Sequence, residues 1–392
     1  MANRAEVGVA WSVNANYSGG GTSYLVQTLT GVLYCVYIDV ADDVAFKKST
    51  DNGLSWDAAV SIFAGTTTAL SVWYDRWSNI SAGLIHCAYT ESVTDDTLYR
   101  TINTESSDAL STQTVIFAGG TTAGGGQLTI ARARGGNVYC RTCIDAGAEG
   151  GFFRLPNANV PNGAWDAART INEALATQDQ MILVPGWAAD NQDMMAFFWD
   201  ASAEEISRQL YDDSANSWGE TSIATGMTDL VATTAFPNFA AAVDITNSRN
   251  LLVAWSNVDT LNADLRCWHV TESAITEVTN VVQNSTDDQG LCAIGIDTAT
   301  GYWYVFYAGK SDGSETWNTA VNIYYKVSQD NGTTWGAETK LTNAVNRIEN
   351  LACTPRFIGT WTARSHGNNA SALVMRALAN KLQPRTQIHI GV

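Results

Sequence analysis

The sequence predicts an all-β fold in which a four-stranded unit is repeated along the chain, and three observations support this prediction. Apolar residues alternate with small or polar ones in short runs, as in residues 291–308, and turn residues separate the runs. Cys35, Cys87 and Cys140 lie in such runs at spacings of 52 and 53 residues. No run keeps a helical period. Radial repetition of four-stranded units of this length gives a β-propeller.

We predict a seven-bladed propeller of four-stranded antiparallel blades, because the 392 residues divided by a repeat of about 56 give seven. All of residues 1–392 then form a single domain. The predicted blades lie near residues 23–65, 69–119, 126–174, 178–228, 236–285, 289–344 and 349–380. The last of these shows three strands, so residues 6–13 are expected to supply its fourth strand and close the ring, which removes free sheet edges. Six blades with flanking strands is the alternative.

One eight-residue motif, Ser-x-Asp-x-Gly-x-x-Trp, occurs twice with all four of its defined residues. Its members are Ser49, Asp51, Gly53 and Trp56 in the first copy and Ser328, Asp330, Gly332 and Trp335 in the second. Each copy follows the third predicted strand of its repeat. There the Asp can accept hydrogen bonds from its own turn, the Gly supplies a positive φ, and the Trp fills the gap between sheets. A partial copy over residues 211–218 keeps Asp213 and Trp218.

This pattern resembles the Asp-box, or BNR repeat, of sialidase-like β-propellers. The resemblance implies that both complete turns lie on the outer rim, away from the family's central site, so that Asp51 and Asp330 are structural. It also directs attention to sialidase chemistry, in which three arginines hold the substrate carboxylate beside an acidic residue and a Tyr/Glu pair. The Arg-Ile-Pro stretch that usually supplies the first arginine does not occur: Arg4 precedes Ala-Glu-Val-Gly, and the next arginine is Arg76. We therefore assign no catalytic residue.

No metal ion or other cofactor is expected. The four histidines, His86, His269, His366 and His389, have no spacing typical of metal ligands. Cys140 and Cys143 spell Cys-x-x-Cys, but the alternation of a strand sends their side chains to opposite faces. The cysteines are expected to be buried free thiols that behave as small apolar residues.

Aromatic residues beside polar ones are the candidates for ligand binding. A sugar offers a C–H face to an aromatic ring and hydroxyl groups to a polar fork. The candidates are Trp73, Asp75, Arg76, Trp77, Trp187 and Arg356. Packing between blades is the alternative interpretation of each tryptophan.

Charge and hydropathy argue against two classes of partner. The net charge is −17 and no cluster of Lys and Arg interrupts it, which disfavours nucleic acid and anionic membranes. No apolar run approaches the ~18 residues of a membrane span. The first residues show no signal-peptide pattern, so we expect synthesis in the cytoplasm without a signal peptide.

The predicted function is that of a non-catalytic recognition or structural propeller, associated with a bacteriophage virion, that binds a glycan or another virion or host-surface protein. Low charge, abundant Ala, Thr, Gly and Asn, and only six lysines resemble phage structural proteins. Virion components leave the cell by lysis and need no signal peptide. A sialidase-like exo-glycosidase with a diverged site is one alternative, and an intracellular protein-binding scaffold is another.

Overall fold

The computed structural model describes residues 4–10, 23–28, 30–51, 53, 55–74, 83–119, 128–142, 150–173, 179–187, 191–227, 239–244, 249–255, 265–278, 281, 290–296, 301–312, 314–315, 322–341, 347–354, 358–364 and 371–377. These residues contain 28 strands and one 3-10 helix, Asn157–Asn159. No helix among them is long and apolar enough to cross a membrane. The fold is all-β, as predicted.

Strands that follow one another in the chain pair antiparallel, so each sheet is a meander. The first sheet contains β2 (Ser23–Gln27), β3 (Leu33–Ile38), β4 (Val44–Ser49) and β5 (Val60–Phe63). The second contains β6 (Thr67–Tyr74), β7 (Leu84–Glu91), β8 (Thr97–Asn103), β9 (Ala109–Leu110) and β10 (Thr114–Phe117). The third contains β11 (Leu128–Arg132), β12 (Val138–Thr142) and β13 (Phe152–Leu155).

The remaining sheets continue the same meander. The fourth contains β14 (Gln180–Pro185), β15 (Met194–Asp200), β16 (Glu205–Asp212) and β17 (Ser217–Thr225). The fifth contains β18 (Phe239–Asp244), β19 (Arg249–Trp255), β20 (Leu265–Val270) and β21 (Ile275–Glu277). The sixth contains β22 (Gly290–Ile296), β23 (Trp303–Ala308), β24 (Ile323–Ser328) and β25 (Thr339–Lys340). The last contains β26 (Arg347–Thr354), β27 (Ile358–Arg364), β28 (Ser371–Ala377) and β1 (Arg4–Ala10).

The sheets are arranged in a closed ring. The first strand of each sheet contacts the first strand of the next, and β26 of the last sheet contacts β2 of the first. The N-terminal strand β1 pairs antiparallel with β28, with Glu6 opposite Val374. The chain therefore closes the last sheet with a strand from its other end, which leaves no free edge at that sheet's β28.

The predicted blade count is wrong. Five sheets of the described chain are complete four-stranded blades, rather than the seven predicted or the six of the alternative. In the third sheet, β13 is followed by Pro156 and Pro161, which have no N–H to donate to a strand ladder. Instead of a fourth strand, the returning chain makes one isolated bridge and two backbone hydrogen bonds to β13: the Arg169 N–H donates to the Phe152 carbonyl at 2.7 Å, and the Asp166 N–H donates to the Arg154 carbonyl at 2.8 Å.

The second sheet departs from four strands in the opposite direction. Its outermost strand is divided into β9 and β10, which both pair with β8. At the division the Thr101 N–H donates to the side-chain oxygen of Ser111 at 2.8 Å, in place of a backbone carbonyl. A side chain that takes over a ladder hydrogen bond interrupts the strand there.

The apolar core is divided into layers that lie between neighbouring sheets. Among the described side chains, five layers join two adjacent sheets, for example Tyr34 with Tyr89, Tyr99 with Leu128, Tyr139 with Phe198, Phe197 with Trp268, and Cys267 with Phe306. The first strands are also joined by hydroxyl groups: the Ile130 N–H donates to Ser71, and the Leu183 N–H to Thr129, both at 3.1 Å. Burial between sheets is therefore the main stabilising term of the fold.

The two complete Ser-x-Asp-x-Gly-x-x-Trp turns have the same structure. Each joins the third and fourth strands of its sheet. The Gly53 N–H donates to Ser49 Oγ at 2.8 Å, and the Gly332 N–H donates to Ser328 Oγ at 2.7 Å. In the second copy, hydrogen bonds from the hydroxyl and the N–H of Thr334, together with Ser328, lower the pKa of Asp330 to about 2. The turn is therefore held by its own buried serine and its own carboxylate.

These turns also contact the apolar layers beside them. Trp56 and Trp335 are half-buried and pack against the core of the first sheet and of the fifth and sixth sheets, respectively. Gly332 has φ +78, and a side chain there would meet His269 of the fifth sheet. Only glycine combines that backbone conformation with so close an approach.

A cluster of charged side chains compensates for the missing strand of the third sheet. Arg154 donates to both carboxylate oxygens of Asp213 at 3.0 Å and to Asp166 at 2.6 Å. Arg169 pairs with Asp213 at 3.0 Å and donates to the Tyr211 hydroxyl. Asp213 belongs to the fourth sheet, so this group, which we call the Asp213 clasp, joins the third and fourth sheets.

Replacing either turn serine with alanine is expected to lower the free energy of unfolding by about 1–3 kcal/mol. The reason is that the buried Gly53 or Gly332 N–H loses its acceptor and cannot reach water. Ser49→Ala and Ser328→Ala should have similar effects, because their geometries agree. Thr333→Ala is the control: it removes an exposed hydrogen bond of the second turn, from the Thr333 hydroxyl to the Asp330 carbonyl at 2.9 Å, and should change little because water can replace it. Urea denaturation measures all three; a negligible effect of both serine variants would contradict the account.

Asp213→Asn is expected to lower the free energy of unfolding by about 2–4 kcal/mol, because two largely buried guanidinium groups lose their shared anion. The exposed fractions support burial: 13% for Asp213 and 14% for Arg169. The control is Asp312→Asn, which removes an ion pair whose carboxylate is 54% exposed and should leave the midpoint unchanged. Equal effects of the two substitutions in thermal denaturation would show that the clasp adds no stability.

Candidate functional site

The meander sorts the loops of the ring into two ends. Because consecutive strands are antiparallel, the connections from first to second and from third to fourth strand share one end, which we call the hairpin end. The connections from second to third strand, and the links between sheets, share the other, which we call the link end. Both Ser-x-Asp-x-Gly-x-x-Trp turns lie at the hairpin end.

The predicted ligand-binding residues fall at the hairpin end where they can be placed. Trp73 is the penultimate residue of β6, and Trp187 follows β14. Both precede a connection from first to second strand. The other predicted residues, Asp75, Arg76, Trp77 and Arg356, lie outside the described residues.

Trp73 and Trp187 are not brought together into one site. Trp73 is half-buried and packs against the layers on both sides of the third sheet. Trp187 is half-buried against the layer between the fourth and fifth sheets. Each indole ring therefore has a packing role in the structure, and its predicted role in ligand binding stays a prediction.

The loop after Trp187 is bonded to the third sheet. The Trp187 carbonyl accepts a hydrogen bond from Arg134, and Gln192 donates to the Gly135 carbonyl at 2.6 Å. Gln192 also accepts from the Asn137 N–H at 2.9 Å. The polar groups beside Trp187 thus hold two neighbouring sheets together and leave fewer groups for a ligand.

The described arginines also bond to other parts of the chain. Each of the eight whose side chains the structure describes donates to an acceptor within the chain: Arg100, Arg132, Arg134, Arg141, Arg154, Arg169, Arg208 and Arg266. Several of these bonds cross to an adjacent sheet, as when Arg208 of the fourth sheet donates to the Thr271 carbonyl at 2.7 Å. Five of the eight guanidinium groups, those of Arg100, Arg134, Arg154, Arg169 and Arg208, therefore connect neighbouring sheets.

The link end holds a group of carboxylates that sequence reasoning missed. Glu173 hydrogen-bonds Asp200, and Asp179 and Glu220 lie close enough to repel it. Burial, followed by repulsion from Asp200 and Glu220, raises the pKa of Glu173 to about 7. Burial acts in the same direction on Asp200, but donors from Ser202 and Ala203 outweigh it and hold the pKa of Asp200 below its ordinary value. The shared proton therefore resides on Glu173.

The described histidines and cysteines lie inside the sheets. His86 is fully buried with Nδ1 2.7 Å from the Tyr99 hydroxyl, and burial, together with Arg132, lowers the pKa of His86 to about 3. The cysteines whose side chains the structure describes are buried and form no disulfide: Cys35, Cys87, Cys140, Cys267 and Cys292. Burial raises the pKa of each thiol. Over the residues that can be described, no three His, Cys, Asp or Glu side chains are grouped to hold a metal ion.

Comparison with known proteins shows a likeness of fold. No protein-family model and no curated protein matches the chain. An ulvan lyase of polysaccharide lyase family PL25 matches with a TM-score of 0.56 and 9% identity, over 96% of this chain and 98% of that one. The Cps50 (Swd1) β-propeller domain of Myceliophteria thermophila matches with a TM-score of 0.54 and 10% identity, over 96% and 99%. A Trypanosoma rangeli sialidase covers 97% of this chain and 60% of its own, with a TM-score of 0.48 and 10% identity.

The chain is a β-propeller. At these identities the likeness extends to the fold alone, because one fold carries many unrelated activities. The loops and side chains of this chain must therefore supply any argument about function.

The proton on Glu173 predicts a pH dependence of stability. A carboxyl whose pKa is raised by folding stabilises the fold fully below its ordinary value of 4.5, and this contribution is lost as the pH rises through about 7. Glu173→Gln should therefore be more stable than the wild type at pH 8 and differ less from it at pH 5. Asp212→Asn is the control, because donors from Ala215 and Ser214 lower the pKa of Asp212 from 3.8, below this window. Thermal midpoints across the range test it; parallel curves for wild type and Glu173→Gln would contradict it.

Proposed function

We propose that this β-propeller is a non-catalytic recognition or structural component of a bacteriophage virion that binds a glycan or a protein partner. The observation that carries the proposal is the use of the described guanidinium groups, each of which binds an acceptor within the chain. Such a ring is a rigid platform whose exposed loops can present a surface to a partner. The low share of charged residues, 16%, and the low lysine content support a virion origin.

Sialidase-like hydrolysis has less support. That chemistry needs three guanidinium groups free to converge on one substrate carboxylate. The eight described arginines are used for other bonds, as given above. The alternative would therefore depend on arginines outside the described side chains, such as Arg76 and Arg356.

One Tyr/Glu pair favours the alternative at first sight. The Tyr307 hydroxyl donates to Glu338 at 2.7 Å, as a tyrosine nucleophile beside an activating carboxylate would. However, Tyr307 is fully buried. Burial, then the hydrogen bond from Tyr307 to Glu338, raises the pKa of the phenol well above its ordinary value. A phenol that keeps its proton and cannot be reached by a substrate is a poor nucleophile, so this pair supports a structural role.

A glycan array probed with the folded wild type, together with a fluorogenic sialoside panel across acidic to neutral pH, tests the proposal. We expect no sialoside turnover, and binding to a subset of glycans if the ligand is a sugar. Trp187→Ala should then abolish glycan binding, whereas Trp335→Ala, which truncates a half-buried tryptophan elsewhere at the hairpin end, should not. Sialoside turnover that survives purification and disappears in Arg356→Ala would contradict the proposal.

The virion association is tested separately. Antibodies raised against the chain should label intact particles purified from a phage lysate, and proteomics of those particles should recover the chain at a stoichiometry above that of host contaminants. Recovery of the chain only in the soluble fraction of the lysate would contradict this part of the proposal.

A further inference from the structure

Among the side chains that the structure describes, the exposed apolar ones are concentrated on two adjacent sheets. In this set four large hydrophobic side chains are exposed, and all belong to the first and second sheets: Val93 at 78%, Val40 at 65%, Val115 at 48% and Val60 at 44%. Val40 and Val93 lie in the turns between the second and third strands, at the link end. Concentration of exposed apolar groups in one region marks an interaction surface more often than scattered ones do.

The turns that carry Val40 and Val93 share a four-residue sequence pattern. Residues 40–43 read Val-Ala-Asp-Asp and residues 93–96 read Val-Thr-Asp-Asp; each is followed by Ile-Phe-Ala-Gly, at residues 62–65 and 116–119. In both, the last Asp accepts a hydrogen bond from the glycine that starts the next link: Asp43 from the Gly65 N–H and Asp96 from the Gly119 N–H, both at 2.8 Å. We call these two turns the twin valine turns.

The first link holds the twin valine turns beside each other. The Thr67 N–H donates to the Asp42 carbonyl of the first turn at 3.0 Å, and the Ser92 N–H of the second turn donates to the Thr66 carbonyl at 2.8 Å. A side chain at Gly119 would collide with the Asp95 carbonyl, so the following link is packed directly on the second turn. The two valines are therefore presented by backbone that is fixed on several sides.

The valines themselves have no evident part in forming these turns. Side-chain acceptors hold the backbone: Asp39 accepts from the Ala41 N–H at 2.8 Å, and Glu91 accepts from the Val93 N–H at 2.8 Å. The corresponding turn of the fourth sheet is held by the acceptor Asp200, and its exposed residues include Ser202 and Ala203 where the twin turns have a valine. Folding alone therefore gives no reason for an exposed valine in each twin turn.

The charge around the valines is negative. Four carboxylates lie within the twin turns, at Asp42, Asp43, Asp95 and Asp96, and Asp39 and Glu91 directly precede them; all but Asp95 are at least partly exposed, and neither turn contains a Lys or Arg. The hydrogen-bond donors described above for Asp39, Asp43, Glu91 and Asp96 are uncharged. A cationic group placed beside the valines would meet a complementary potential. A second copy of this chain, with its net charge of −17, would on average meet repulsion.

We propose that the twin valine turns form a docking surface for a cationic protein segment that presents small apolar side chains beside Lys or Arg. The proposal rests on the recognition function proposed above and specifies one partner for it. A protein segment fits better than a sugar, because the exposed groups are aliphatic and offer no aromatic face for stacking. Apolar contact supplies binding energy here, and charge complementarity supplies orientation and encounter rate.

Selection of a random displayed peptide library on the immobilised full-length chain tests the proposal. Enriched peptides are synthesised, and their dissociation constants are measured for the wild type, the double variant Val40→Ser with Val93→Ser, and the control Ala203→Ser. We expect the enriched peptides to combine Lys or Arg with Val, Ile or Leu. Their dissociation constants should rise at least about tenfold for the double variant, stay unchanged for the control, and rise with salt. Unaltered denaturation midpoints would show that the variants are folded.

Three outcomes would overturn the docking surface. No sequence is enriched; or the enriched peptides bind the double variant as well as the wild type; or the wild type dimerises in sedimentation and the double variant does not, which would assign the surface to a second copy. Any of these, together with a positive glycan array, leaves the recognition function standing. The same outcomes with a negative array would count against both proposals.

Discussion

The structure depends on what crosses the gaps between neighbouring sheets. Most backbone hydrogen bonds lie within one meander and few cross between sheets, such as the one from the Gly135 N–H to the Asn191 carbonyl at 2.7 Å, so the ring is held mainly by side chains that reach from one sheet to the next. Apolar layers supply most of this contact, and hydroxyl groups such as Ser71 and Thr129 accept N–H groups from the first strand of the following sheet. Five of the eight described guanidinium groups add polar bonds across the same gaps. A function that required free arginines would therefore compete with the stability of the ring.

The gap between the third and fourth sheets shows most clearly how arginine side chains hold neighbouring sheets together. The third sheet lacks a complete fourth strand, and the Asp213 clasp supplies bonds at the place where that strand would pack. Asp213 lies in the partial copy of the repeated turn, residues 211–218, and it is not needed there to hold the turn. In this turn Asp212 accepts a hydrogen bond from the Ala215 N–H at 2.9 Å and so takes the role that Asp51 and Asp330 have in the complete copies. Asp213 can therefore face the arginines of the third sheet. Tyr211 replaces the buried serine and donates to Asn216 at 3.0 Å.

The sequence predicted what is local and missed what is made by distant residues. Alternation and turn chemistry located the strands, and the spelling of residues 49–56 and 328–335 was enough to predict two matching turns, because the bonds of each turn stay within it. The repeat predicted a fourth strand in the third sheet, but Pro156 and Pro161 follow β13 and cannot donate to a strand ladder. The pairing of Glu173 with Asp200 had no signal, since it depends on how the third sheet's link folds against the fourth. The repeated Val-x-Asp-Asp pattern can be found in the sequence, but the sequence does not indicate that its valines are exposed.

A ring held together across its gaps should behave as one cooperative unit, including the sheet with the incomplete edge. Native-state hydrogen exchange, followed by mass spectrometry of peptides from β11–β13 and from β14–β17, measures this most directly. The account predicts that the slowest amides of both sheets exchange with the same free energy, and that Asp213→Asn lowers both together. Exchange of the third sheet at a markedly lower free energy than the fourth in the wild type would contradict it, because the two sheets would then open independently of the bonds between them.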